Sequence, residues 1–150
     1  LTILYGRLSF YFSLVIFALL LLLPDIFYTW LFGNEFIGIK RLLILLIPGI
    51  LLFSITTVYG HYFSGIGRPK INSFTSIIGL VFTLIFGFAL IPVYGRNGVA
   101  VTASLSFIAS GIFVTIQIIR EPGVTFTMLL PKKSDIAKTR MFITSLIGKK

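Results

Sequence analysis

Ile71–Gly95 reads INSFTSIIGLVFTLIFGFALIPVYG, a run of 25 residues with no Asp, Glu, Lys or Arg, bracketed by Lys70 and Arg96. A helix rises about 1.5 Å per residue, so this run is long enough to cross a hydrocarbon core of ~30 Å. Lipid offers the backbone no hydrogen-bond partner, so the segment must be helical. Working outward, three more charge-free runs appear: Leu8–Pro24 (17 residues), Leu42–Gly67 (26) and Asn97–Ile119 (23). The last two suffice as they stand. The first is short, and Ile26–Leu31 is expected to extend it past Pro24, with Asp25 reaching the interface. The expected fold is all-α: a polytopic membrane helix bundle within residues 1–120, its spans near 8–31, 42–64, 71–92 and 97–119.

Composition agrees. Of 150 residues, 57% are hydrophobic and 11% charged, against about 25% charged in soluble domains. Mean hydropathy is +1.05. So few charges cannot cover a water-soluble surface, which excludes a soluble enzyme, a nucleic-acid-binding domain and a disordered chain. The net charge of +9 points to membrane lipids as partners rather than nucleic acid, because the basic residues sit at the ends of apolar runs. Cysteine is absent, so no disulfide framework arises. The sequence opens at Leu1 inside an apolar stretch with no basic leader, and a fragment of a longer chain is expected.

Charge asymmetry sets the expected orientation. Arg7, Arg68 and Lys70 fall on one side and Lys40, Arg41 and Arg96 on the other, an even count. Arg120, Lys132, Lys133 and Lys138 decide it, placing both ends in the cytoplasm. Residues 121–150 read as a basic amphipathic cytoplasmic tail. Ser134 is a cap with Asp135 in the first turn, and Ile136, Phe142, Ile143, Leu146 and Ile147 share one face; a disordered tail is the other reading. Phe27, Tyr28, Trp30, Phe32 and Phe36 form an aromatic cluster at headgroup level. Gly65–Lys70 and Tyr94–Gly98 read as tight turns, with Asn97 as N-cap of the fourth span.

Few residues carry chemistry. At about 100° per residue, Ser73, Ser76, Gly79, Thr83 and Gly87, with Asn72, share roughly 120° of the third span. Ala100, Ala103, Ser104, Ser110 and Gly111 do the same on the fourth. Small residues let helices approach closely in lipid, and such a face also suits the wall of an aqueous cavity. Pro48 removes a backbone donor within the second span, as a structural kink or a hinge. His61, the only histidine, sits near the end of that span beside Tyr59. His61 and Tyr59 are pathway candidates, the histidine by its place in the membrane; its place near a helix C-terminus suits an interfacial cation instead. Arg68, Lys70 and Arg96 are the cations near the two mouths, as pathway or topology residues. One His and four acids assemble no catalytic set, metal site or phosphate loop. No enzyme, cofactor or metal is expected.

Motif order adds a resemblance. Val58–Pro69 (VYGHYFSGIGRP), Leu90–Ser104 (LIPVYGRNGVAVTAS), Leu31–Phe36 (LFGNEF) and Leu130–Ile136 (LPKKSDI) resemble stretches of the Wzx-like O-antigen flippases of the multidrug/oligosaccharidyl-lipid/polysaccharide exporter superfamily. Phe32 stands where that family usually has tyrosine. The resemblance implies a two-lobed, MATE-like transporter of which these would be the last four helices. It implies alternating access moving a polyprenyl-pyrophosphate-linked oligosaccharide across the bacterial inner membrane. The implied partners are that substrate, the missing N-terminal part of the same chain, and glycan polymerase or chain-length proteins. A drug or cation antiporter of the same superfamily and a non-transporting scaffold for glycan assembly are the competing functions. No substrate-binding residue carries over from the resemblance.

Overall fold

The computed structural model describes residues 2–33, 38–122 and 124. The described residues form five helices: α1 (Thr2–Leu22), α2 (Asp25–Phe32), α3 (Ile39–Gly65), α4 (Lys70–Tyr94) and α5 (Arg96–Ile119). All but α2 are long and apolar enough to cross a membrane. The molecule is an all-α polytopic helix bundle; the expected tail helix, the Leu130–Ile136 motif and half of the Leu31–Phe36 motif lie outside the described residues.

The first span differs from expectation at both ends. Arg7 does not delimit α1, which starts at Thr2, and Pro24 ends it at Leu22 instead of being bridged. Proline has no N–H to give the carbonyl one turn earlier. That carbonyl, on Leu20, instead accepts from the Leu23 N–H at 3.3 Å and from the hydroxyl of buried Tyr28, which reaches back across the break from α2. Helix α4 runs through Pro92 to Tyr94. Asn97 is not a cap: α5 begins one residue earlier, with Gly95 as N-cap.

Both remaining turns rest on glycine. After α3 the Arg68 N–H donates to the Phe63 carbonyl at 2.8 Å and the Gly67 N–H to that of Ser64 at 3.2 Å, with Gly67 at φ 75°. This paired closure of a helix C-terminus needs a left-handed residue, and Pro69 then prevents α3 from continuing. Between α4 and α5 a single residue, Gly95 at φ 53° and ψ −127°, reverses the chain. Side chains other than hydrogen are excluded from that region.

Helix α5 lies between α3 and α4, and its buried positions are mostly small or hydroxylic: Gly98, Ala100, Thr102, Ser104, Ser106, Ser110 and Gly111. Toward α4, Gly98, Thr102, Ser106 and Ser110 recur every four residues; Gly98 meets the Leu90–Ile91 backbone, and the other three meet Thr75, Gly79, Thr83 and Gly87. Ser110 Oγ donates to the Thr75 carbonyl at 3.1 Å and Ser106 Oγ to that of Gly79 at 2.7 Å. Thr83 Oγ1 lies 2.9 Å from Ser106 Oγ. Four-residue ridges on both helices interlock here. Toward α3 the closest crossing is Gly49 on Ser104, where the Gly49 N–H donates to Ser104 Oγ at 3.0 Å. The large apolar core is confined to one end, where Tyr59 and Phe63 of α3 meet Val114 and Ile118 of α5.

Candidate functional site: a hydroxyl-lined groove

Where α3, α4 and α5 converge near the α3–α4 turn, they leave a groove of about 310 Å³. Thr56, Thr57 and Gly60 line it from α3; Asn72, Thr75, Ser76 and Gly79 from α4; Ser106 and Ser110 from α5, with Phe53 and Phe107 at its inner end. Those two rings lie 4.7 Å apart between centroids. Among the described residues, no His, Lys, Arg, Asp or Glu lines the groove. Its polar groups are neutral oxygens and amides, set in a lining whose surface is mostly apolar.

The donors of this lining are largely committed to backbone carbonyls. Thr56, Thr57 and Thr75 bond back into their own helices, to Leu52, Phe53 and Ile71, at 2.9, 3.0 and 2.8 Å. Ser106 and Ser110 donate across to α4, as above. Asn72 Nδ2 donates to the Gly60 carbonyl at 2.9 Å and to Ser64 Oγ at 2.8 Å. Ser106 Oγ also accepts from Thr83, but each lining hydroxyl keeps acceptor capacity beyond the bond it donates, so the groove accepts hydrogen bonds more readily than it donates them. Such a surface suits water or hydroxylated ligands. Its described lining holds no cation for a phosphate.

The structure separates the residues singled out by sequence. Ser76 and Gly79 line the groove, Thr83 continues the α4–α5 seam inward, and Gly87 packs near Thr102, whose methyl would lie 3.9 Å from an added Cβ. Ser73 is exposed, and Thr75 takes the buried place on the seam. Tyr59 is 2% exposed and packs against Gly6 of α1, away from the groove. His61 is exposed on α3 one turn beyond Thr57 and does not line the groove. Arg68 forms an ion pair with Glu121, tying the α3–α4 turn to the end of α5. Lys70 opens α4 at this end of the bundle and Arg96 opens α5 at the other. Pro48 stands inside a continuous α3, beside the Gly49 crossing. Thr56, Thr57 and Ser106 were not singled out, although the adjacent threonines in an apolar span were a readable signal. A second cleft of about 160 Å³, lined by Gly6, Arg7, Phe10, Tyr11, Leu52, Ile55, Tyr59 and Thr115, is mainly apolar.

These features define the class: a multi-pass membrane helix bundle whose tightest seams are made of small and hydroxylic residues. The chain is similar to the lipid II flippase MurJ of Bacillus subtilis, 28% identical over 108 residues, which are 70% of this chain and 20% of that protein. It is also similar to an uncharacterized membrane protein of Methanocaldococcus jannaschii, 30% identical over 108 residues, 69% of this chain and 21% of that one. The chain thus spans about a fifth of the length of the curated relatives it matches. No family model matches it, and no solved structure does.

Proposed function

We propose that these helices form part of one lobe of a two-lobed, MATE-like exporter that moves a lipid-linked oligosaccharide between leaflets by alternating access. The similarity to a lipid II flippase over 108 residues carries this reading. The groove is compatible with it: a glycan needs a route past hydrocarbon lined by groups that replace its hydration, while its lipid tail stays in the bilayer. A polyprenyl-pyrophosphate carrier, as in O-antigen assembly, is the finer form and rests on the motif resemblance. In that form the membrane is the bacterial inner membrane, and glycan polymerase or chain-length proteins are the partners.

The antiporter reading is less favoured, because coupling protons or cations commonly uses an acid inside the membrane. Asp25, Glu35, Glu121 and Asp135 are the only acids, and all lie outside the four crossing helices. In proteoliposomes, the full-length protein carrying these helices should expose a fluorescent lipid-linked glycan to a reagent confined to the opposite side. Cation or drug export without glycan movement would establish the antiporter. Neither activity, together with binding of glycan-assembly enzymes, would establish the scaffold.

Sidedness has its own test. With both ends cytoplasmic, cysteine at Asn97 should react with an impermeant reagent in intact cells. Cysteine at Lys70 should react only after permeabilisation. The reverse pattern would invert the topology.

A further inference from the structure

Among the described helices α2 alone is too short to cross a membrane, and the packing of its neighbours fixes its depth. An added Cβ at Gly6 would lie 2.9 Å from the Tyr59 ring, and Ser9 Oγ donates to the Ser54 carbonyl at 3.3 Å. Extending that antiparallel register brings Leu22 level with Leu42. An independent contact agrees: Asp25 Oδ1 lies 3.7 Å from Lys40 Nζ. By Pro24, then, the chain has reached the charged end of α3, and α1 has crossed the apolar layer without help from α2.

Two contacts orient α2 at that level. Tyr28 is 4% exposed, its hydroxyl on the Leu20 carbonyl, and Asp25 is held by Lys40. Ile26 and Trp30, one turn apart, are 78% and 79% exposed, the most of any apolar residues on α2, with Phe27, Leu31 and Phe32 exposed to a lesser degree. Water would leave this apolar pair unfavourably solvated, and the register places it outside the hydrocarbon layer. What remains at this depth is the headgroup boundary, where the indole N–H finds polar partners and the ring finds acyl chains.

We infer that α2 lies in the plane of the membrane surface, with Ile26 and Trp30 seated at the boundary between headgroups and acyl chains on the Lys40–Arg41 side. The occupant of this face is lipid. Tyr28 and the Asp25–Lys40 pair hold the helix at that height, making it a depth stop for the bundle.

Trp30 is the only tryptophan of these 150 residues, so its emission reports this site directly once any tryptophan elsewhere in the full-length protein is replaced by phenylalanine. The protein is reconstituted in phosphatidylcholine vesicles brominated either near the glycerol end or near the methyl end of the acyl chains. The glycerol-end bromines should remove more than about half of the emission, and the methyl-end bromines clearly less. Ile26→Asp should lower the glycerol-end quenching by about twofold and shift emission to the red. Equal or stronger quenching by the methyl-end bromines would place α2 in the hydrocarbon. Insensitivity to both bromines and to aqueous acrylamide would mean that protein covers the face. Strong acrylamide quenching alone would put it in water. Each of these three results overturns the inference.

Discussion

Gly49→Ala should cost about 1–3 kcal/mol, the range for overpacking a close contact. An added methyl would lie 2.5 Å from Ser104 Cα and 2.8 Å from its carbonyl oxygen. Both are backbone atoms, and no rotamer change removes them. The helices must part, which also stretches the 3.0 Å bond from the Gly49 N–H to Ser104 Oγ. The control lies in the same helix. Gly65 has nothing within 4 Å of an added Cβ, so Gly65→Ala should be neutral or slightly stabilising through helix propensity. Thermal unfolding in detergent, followed by the loss of soluble monomer, separates the two variants. Equal midpoints would show that α3 and α5 do not cross closely at Gly49.

Ser76→Trp should slow glycan translocation by the full-length protein at least about tenfold, an added barrier of ~1.4 kcal/mol. Ser76 lines the groove and is itself exposed, so an indole there fills the space without displacing a buried group. Ile77→Trp is the matched comparison. Its side chain is 53% exposed outside the groove lining, where lipid accommodates a large ring, and transport should be retained. Both proteins should fold equally well in detergent. Normal transport by Ser76→Trp would remove the groove from the pathway.

The architecture was largely legible because lipid permits so few solutions: long uncharged runs must be helices, and short basic or glycine-containing links must join them. The ends were less legible. Arg7 suggested a boundary because charge is a good marker of interfaces, yet one arginine does not stop a helix. Pro24 was read as bridgeable because the sequence does not reveal that Tyr28 would help satisfy the carbonyl a proline leaves open. At the groove, small residues were visible at helical spacing, but a fixed 100° sector favoured Ser73 over Thr75. The actual seam follows a four-residue ridge that drifts around α4 and takes in Thr75, Gly79, Thr83 and Gly87 in turn. That Tyr59 and His61, two positions apart, would go to different surroundings follows from packing against α1 and α5, which spacing within α3 does not encode.

The single-residue link at Gly95 bears on how the protein is made. With no slack between them, α4 and α5 can reach the bilayer together as a preformed pair more readily than one after the other. Ser106 and Ser110, which donate to α4 carbonyls, would then meet their partners during insertion, and neither hydroxyl would have to be offered alone to lipid. Lengthening the link would uncouple the two insertion events, and its first effect would be on the yield of membrane-integrated protein rather than on the stability of the finished bundle.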